Sequence, residues 1–164
     1  WQIAQAFTAT FGSGTAGFNN FAGYFLRDTA TGAIDSVGTL FAASKAASIG
    51  DTAQITGVEA DQEIGLFLVQ NGANRMGSLT GQLGLAEQNG RLYVTENDNL
   101  LTDTIVFNSL DKSLNADGIE HVLSGVLPGD SGLTVGFEDL LGGGDMDFQD
   151  LTLTLAVTDD SLLV

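Results

Sequence analysis

Short runs of alternating apolar and polar residues dominate this chain. Near its start Phe7, Ala9 and Phe11 alternate with threonines, and from Leu151 to Val157 every second residue is leucine or valine. A period of two residues is typical of a β-strand that buries one face. The pattern therefore predicts two half-buried strands, with the three leucines of the second strand and Val157 turned toward the core.

A continuous apolar run, Gly65 to Gln70, predicts a strand that is buried on both faces, and the Asn71-Gly72 pair behind it indicates a turn. Further β-rich runs lie at 23–26, 53–58, 92–94, 104–107, 122–126 and 133–137. The chain also holds 22 glycines and few helix caps. We predict an all-β fold, a β-sandwich of about nine or ten short strands with long loops and Greek-key or jelly-roll connections.

Composition indicates one folded domain. The chain has 164 residues, 43% hydrophobic content and ten phenylalanines, which permit a real core and exclude a disordered chain. No linker-like stretch divides it, so we interpret residues 1–164 as a single domain. It has no cysteine for disulfide or thiol chemistry, and no apolar run long enough to insert into a membrane. Since the chain begins with Trp1, we expect a monomeric domain of a larger chain.

The charge balance limits the partners. The 21 acidic residues outnumber the five basic ones, which gives a net charge of −16. Such a surface repels nucleic acids and anionic lipids, so neither is expected as a partner. Residues 113–164 contain ten of the acidic residues and no basic one. We interpret this part as the ion-rich end of the domain, suited to a solution that contains divalent cations.

The acidic side chains are densest in residues 138–150, where five carboxylates surround three consecutive glycines and no basic residue follows Lys112. Two carboxylates ~5 Å apart repel by roughly 3 kcal/mol at an effective dielectric constant near 20, so the loop needs a cation or wide exposure to solvent. The glycines allow positive φ angles that turn carbonyl oxygens inward, and such oxygens suit Ca²⁺. We predict a calcium loop rather than a solvated acidic turn. Its ligands are Glu138, Asp139, Asp145, Asp147 and Asp150.

A second group of oxygen-bearing side chains contains Asn115 and Asp117. Its spacing fits either a calcium site or an Asx turn without an ion, and the sequence leaves both open. The neighbouring His121 is the only histidine. With no nucleophile motif beside it, we expect a structural residue or a hydrogen bond to a ligand near Asp117. Zinc is not expected, because a second histidine and a cysteine are both missing.

The acidic loop also carries a family resemblance. Residues 136–150 read Gly-Phe-Glu-Asp-Leu-x-Gly-Gly-Gly-Asp-x-Asp-Phe-x-Asp, which resembles the C-terminal signature of an uncharacterised domain family of bacterial secreted and surface proteins. The same signature occurs in the calcium-dependent peptide-binding domains of bacterial RTX adhesins. Residues 17–24, 64–72 and 115–122 are similar as well. Gln149 departs from the family pattern, which has asparagine at this position.

The resemblance implies a calcium-bound β-sandwich that holds several Ca²⁺ ions on the five carboxylates, with Asn115 and Asp117 as further ligands. It also implies an extracellular adhesion module on the bacterial cell surface, which grips a peptide or protein on another cell during adhesion and biofilm formation. It does not show which loop binds the ligand. We place the ligand contacts at His121 and at three residues that follow a rigid buried strand: Asn71, Asn74 and Arg75.

Two other functions would use the same calcium. A carbohydrate-binding (lectin) module would complete the calcium shell with sugar hydroxyls, and a structural spacer would use calcium only to stiffen the fold. A hydrolase is not expected. Its general acid needs an apolar pocket around one carboxyl, whereas every clustered acid in this chain lies among other acids. We therefore expect a binding module and not an enzyme.

Overall fold

The structure is a computed structural model that describes residues 4–129 and 131–158, so Trp1 lies outside the described residues. The described chain is almost entirely β-structure, with one short α-helix and two single 3₁₀ turns, Lys112–Leu114 and Leu141–Gly143. The strands and the helix are β1 (Gln5–Ser13), β2 (Phe21–Asp28), β3 (Ile34–Phe41), β4 (Thr52–Val58), β5 (Gln62–Val69), α1 (Ala73–Gly77), β6 (Leu83–Gln88), β7 (Arg91–Glu96), β8 (Asn99–Leu100), β9 (Val106–Asn108), β10 (Val122–Gly125), β11 (Leu133–Phe137) and β12 (Leu151–Val157). No helix among them is long and apolar enough to cross a membrane.

The strands form three antiparallel sheets. The five-stranded sheet has the order β10-β11-β12-β1-β4, the four-stranded sheet β3-β2-β5-β9, and the three-stranded sheet β6-β7-β8. One hydrophobic core joins residues of the five-stranded and four-stranded sheets, and a second joins the four-stranded and three-stranded sheets. The prediction of an all-β, sandwich-like fold is confirmed, and the four-stranded sheet is its middle layer.

The middle position of the four-stranded sheet explains the apolar run of β5. Leu66 and Leu68 belong to the first core, whereas Phe67 and Val69 belong to the second. Successive side chains of a strand point to opposite faces, so a strand between two cores needs apolar residues at every position. The predicted burial of this strand on both faces is confirmed.

Three strands and the helix were not predicted, and one of these strands, β8, has only two residues. β3 and β6 are half exposed and carry little alternation, and each is held by hydrogen bonds to a partner strand, β2 and β7 respectively. Because those bonds are backbone contacts, the side-chain pattern does not report them. Helix α1 has only five residues, which is too short for a periodic signal.

The prediction that Val157 points toward the core is wrong, because Val157 is 61% exposed. β1 pairs with β12 as far as Val157, but β11 on the other side pairs with it only as far as Leu155. Leu151 and Leu153, which lie within the paired region, are buried as predicted. The alternation therefore gives the correct face of the strand, and the length of the partner strand decides where burial stops.

Four connections meet at one end of the middle sheet. The residues before β2 contact the turn after β3 through the Ser44 N–H, which donates to the Asn20 carbonyl at 2.8 Å. They contact the start of α1 through the Ala73 N–H, which donates to the Asn19 carbonyl at 3.0 Å. The loop between β11 and β12 reaches the same place, because the Asn20 side chain touches Asp139.

Candidate metal centre

The acidic loop is closed by the strands at its two ends. Phe137 at the end of β11 and Leu151 at the start of β12 are paired in the ladder, and the Asp150 N–H donates to the Phe137 carbonyl at 3.1 Å. The chain between them turns back through positive φ angles at residues 142–144, all of them glycine. The closed loop therefore holds its side chains together by backbone geometry.

The loop brings together all five carboxylates that were predicted as metal ligands, and they form two overlapping clusters. Glu138, Asp145 and Asp147 form the outer cluster, and Glu138, Asp139 and Asp150 form the inner cluster. In each cluster one carboxylate oxygen per residue lies within 4.8 Å of the others. Such clusters could hold a metal ion. Glu138 belongs to both, so one side chain would connect the two positions.

The clusters differ in exposure. Glu138 and Asp139 are 1% and 2% exposed, and Asp150 is half-buried, so the inner cluster is closed to solvent. Asp145 and Asp147 are both exposed, so the outer cluster opens to the surface on one side. A cation in the inner cluster would be enclosed by protein, whereas one in the outer cluster could also contact molecules from solution.

Glu138 shows that the residues fit a cation. Its Oε1 accepts a hydrogen bond from the Leu140 N–H at 3.2 Å, but its buried Oε2 has no hydrogen-bond partner among the described residues. A buried carboxylate oxygen without a partner is unfavourable, and a cation is the partner that would relieve it. Among the described residues no lysine or arginine forms an ion pair with Glu138, and those of Arg27 and Arg75 are with Glu63 and Asp103.

The backbone around Glu138 is shaped for this side chain. Gly144 has φ +48, and a Cβ atom built at this position would lie 2.2 Å from Glu138 Oε1. Any residue other than glycine would therefore displace the carboxylate. The triple glycine thus provides room for the shared carboxylate as well as the turn.

Burial also shapes the electrostatics of the inner cluster. Burial, assisted by the nearby Asp150 charge, raises the pKa of Asp139 to about 6, although its hydrogen bond from Asn20 acts in the opposite direction. Burial is also the main cause that raises the pKa of Glu138. Without a cation the folded chain resists ionising these two carboxyls.

Comparison with protein families finds one match. The model of a domain of unknown function, DUF4114, matches residues 58–158, which is more than half of the chain. The chain belongs to the DUF4114 family. The matched part of this DUF4114 domain includes the whole acidic loop, whereas Asn20 lies before it. No curated protein and no solved structure matches the chain.

The raised pKa values predict how the metal-free DUF4114 domain responds to pH. The folded pKa of Asp139, about 6, exceeds its ordinary value of 3.8. Its contribution to stability is therefore fully present below pH 3.8 and is lost as the pH rises through about 6. In a chelator we expect a higher unfolding midpoint at pH 5 than at pH 7.5, measured by thermal melts followed by circular dichroism.

The Asp139→Asn variant is the control for this pH effect, because asparagine keeps the shape and cannot titrate. We expect its midpoint in the chelator to change less between pH 5 and pH 7.5 than that of the unmodified domain. A midpoint of the unmodified, metal-free domain that is equal or higher at pH 7.5 would contradict the prediction.

Asn115 and Asp117 lie beside the acidic loop and do not join the two clusters. Asn115 Oδ1 accepts from the Asn108 N–H at 2.8 Å, and its Nδ2 donates to the Ile119 carbonyl at 2.9 Å. The Asp117 carboxylate accepts from the Gly142 N–H at 2.7 Å and lies 3.0 Å from His121 Nε2. Their role as metal ligands stays a prediction. Their hydrogen bonds instead fix the segment that contains Asn115 and Asp117 and connect it to the acidic loop.

His121 connects that segment to the acidic loop. It is fully buried and stacks on Phe107, with the ring centres 3.8 Å apart. Its Nδ1 lies 2.9 Å from the Glu138 carbonyl, and its Nε2 lies 3.0 Å from the Asp117 carboxylate. The predicted ligand contact of His121 stays a prediction. The structural role that the sequence also allowed agrees with its contacts.

The other predicted ligand contacts lie in the turn after β5 and in α1: Asn71, Asn74 and Arg75. Asn71 has φ +48 in the turn after β5, as the Asn-Gly signal predicted, and Asn74 and Arg75 belong to α1. Asn74 is exposed, and Arg75 Nε donates to Asp103 at 2.9 Å. These residues are outside both carboxylate clusters. Their assignment as ligand contacts stays a prediction.

Sequence reasoning missed two residues that hold Asp139. Asn20 is fully buried, and its Nδ2 donates to Asp139 Oδ2 at 2.6 Å. Gln70 Nε2 donates to the Asp139 backbone carbonyl. The consecutive asparagines at 19 and 20 in a glycine-flanked loop were the only local signal. The burial that gives Asn20 its role arises from strands far away in sequence.

Proposed function

We propose that this DUF4114 domain is a calcium-dependent binding module of an extracellular bacterial adhesin. The observation that carries the proposal is the difference between the two clusters that share Glu138. The inner cluster is closed and the outer cluster is open on one side. The inner cluster suits a cation that stiffens the loop, and the outer cluster suits a cation that also contacts a ligand.

Calcium is the cation that the donor set supports best. Both clusters offer carboxylate oxygens and neither contains a histidine or a cysteine. Ca²⁺ takes six to eight oxygen ligands in flexible geometry, whereas Mg²⁺ demands a near-ideal octahedron and keeps several waters. Two exposed carboxylates and a shared Glu138 leave positions in the outer shell that other oxygens can fill.

The ligand chemistry follows from those open positions. A peptide or protein that ends in a carboxylate on another cell would supply the missing oxygens. The net charge of −16 repels acidic partners at a distance, so such a ligand would bind only when the cation is present. Sugar hydroxyls could fill the same positions, which keeps a lectin as the alternative.

A binding role is also more consistent with the burial of the carboxylates than a hydrolytic one. A general acid needs a raised pKa, and burial raises the pKa values of Glu138 and Asp139. Both residues are buried, however, so a substrate cannot reach them. The exposed pair, Asp145 and Asp147, lies in a polar loop without an apolar pocket to raise a pKa. We therefore propose a binding module and not an enzyme.

A peptide array and a glycan array, both probed with the domain in calcium and in a chelator, test the proposal. We expect calcium-dependent binding to peptides with free terminal carboxylates. Binding to glycans alone would instead support the lectin, and no binding to either would support a spacer.

An Asp147→Asn variant should lose array binding, because it removes an exposed carboxylate of the outer cluster. Asp98→Asn is the matched control. It makes the same change at an exposed position outside both clusters, so its binding should not change. Equal loss with the two variants would mean that overall charge, and not the outer cluster, determines binding.

A further inference from the structure

The inner cluster is connected to the turn after β5 by a single buried side chain. Asn20 Nδ2 donates to Asp139 Oδ2 at 2.6 Å, and Asn20 Oδ1 accepts from the Asn71 N–H at 2.8 Å. The backbone of Asn20 is fixed as well, because its N–H donates to Ser44 Oγ at 2.9 Å and its carbonyl accepts from the Ser44 N–H. One amide group thus bridges the carboxylate cluster and the turn.

The turn on the far side of Asn20 carries the start of α1. The Asn71 side chain accepts from the Asn19 N–H at 3.3 Å, and the Ala73 N–H donates to the Asn19 carbonyl at 3.0 Å. A second connection runs through Gln70, whose side chain donates to the Asp139 carbonyl. The position of residues 70–73 is therefore set partly by where Asp139 is held.

The direction of the Asn20 amide depends on what Asp139 presents to it. A carboxylate that is bound to a cation can only accept, so the NH₂ group of Asn20 must face it. The carbonyl oxygen of the amide then faces the Asn71 N–H and satisfies that donor. With the opposite orientation, two donors would meet at Asn71, which is unfavourable. Hydrogen bonds to a charged acceptor are also stronger than neutral ones, so a held carboxylate fixes the amide more firmly.

We propose that Asn20 is a positioning residue through which a cation in the inner cluster orders the turn after β5 and the surface of α1 that carries Asn74 and Arg75. The inference rests on the proposed function, because it requires the inner cluster to bind calcium. It adds that the surface next to Asn71 takes up its binding shape only in the cation-loaded domain. The inner cation is then a regulator of that surface and not only a brace for its own loop.

Amide hydrogen exchange on the unmodified domain tests this first. With calcium, the amides of residues 71–77 should exchange at least about tenfold more slowly than in chelator, together with those of the acidic loop. Isothermal titration calorimetry with calcium alone runs in parallel. Absence of calcium uptake would overturn both the proposed function and this inference. Uptake that protects the acidic loop and leaves residues 71–77 unchanged would overturn the inference alone.

The Asn20→Ala variant separates the bridge from general stability. It should still take up calcium and protect the acidic loop, while the calcium-dependent protection of residues 71–77 falls well below that of the unmodified domain, because only the Gln70 contact remains. Asn19→Ala is the matched control, since its side chain accepts from the Lys45 N–H and does not touch Asp139. The control should keep the protection. Protection that persists in Asn20→Ala, or that is lost equally in both variants, would overturn the role of Asn20.

Discussion

Removing calcium will lower the thermal unfolding midpoint of this domain by about 8–16 °C. A ligand that binds only the folded state stabilises it by about 4 kcal/mol when its free concentration is a thousand times Kd. In a chain of this size each kcal/mol moves the midpoint by roughly 2–4 °C. The effect is large because chelation leaves five carboxylates together, among them a buried Glu138 oxygen that has no hydrogen-bond partner in the described part of the chain. Thermal melts in millimolar calcium and in excess chelator measure it.

Glu138→Gln should abolish the calcium effect, because this residue belongs to both clusters. The metal-free variant should be at least as stable as the metal-free unmodified domain, since the substitution removes a buried charge whose pKa burial raises. Glu87→Gln is the matched control at an exposed position outside the clusters, and it should keep the whole calcium shift. A Glu138→Gln domain that still gains several degrees from calcium would contradict the site.

The five carboxylates could be predicted from the sequence because their contacts are local. They lie in one connection whose ends are paired strands, so closing the strands also brings the side chains together. The strand pattern on both sides, from Leu133 to Phe137 and from Leu151 onward, gave the same bounds as the structure. A site that lies within one closed loop can therefore be predicted without knowing the rest of the fold.

The supports of the site could not be predicted, because their contacts are long-range. Asn20 and Asp139 are 119 positions apart, and Gln70 and Asp139 are 69 apart. Their meeting depends on how the five-stranded and four-stranded sheets pack, which no local pattern encodes. The same reason applies to His121. Its burial depends on stacking with Phe107, and the sequence alone does not show this contact. Two strands of the third sheet, β6 and β8, were not predicted, because they are partly exposed and are defined by their pairing with β7.

His121→Phe will lower the free energy of unfolding by about 2–4 kcal/mol, since it removes both polar contacts of the buried histidine ring. Phenylalanine can keep the stacking on Phe107, but it has no N–H for the Glu138 carbonyl or for the Asp117 carboxylate. Both oxygens can only accept, and which of them receives the ring N–H of His121 depends on the tautomer. Urea unfolding in chelator measures this cost without any contribution from calcium.

The His121→Phe variant should also bind calcium more weakly. This result would distinguish a residue that positions Glu138 from one that only fills the core. His121 holds the backbone of Glu138 directly, and it holds Asp117, which accepts from Gly142 in the acidic loop. Phe107→Leu is the control, because it disturbs the stack and keeps both hydrogen bonds. It should lose stability with little change in calcium affinity by calorimetry. If both variants lower stability and neither changes calcium affinity, His121 fills the core without positioning Glu138.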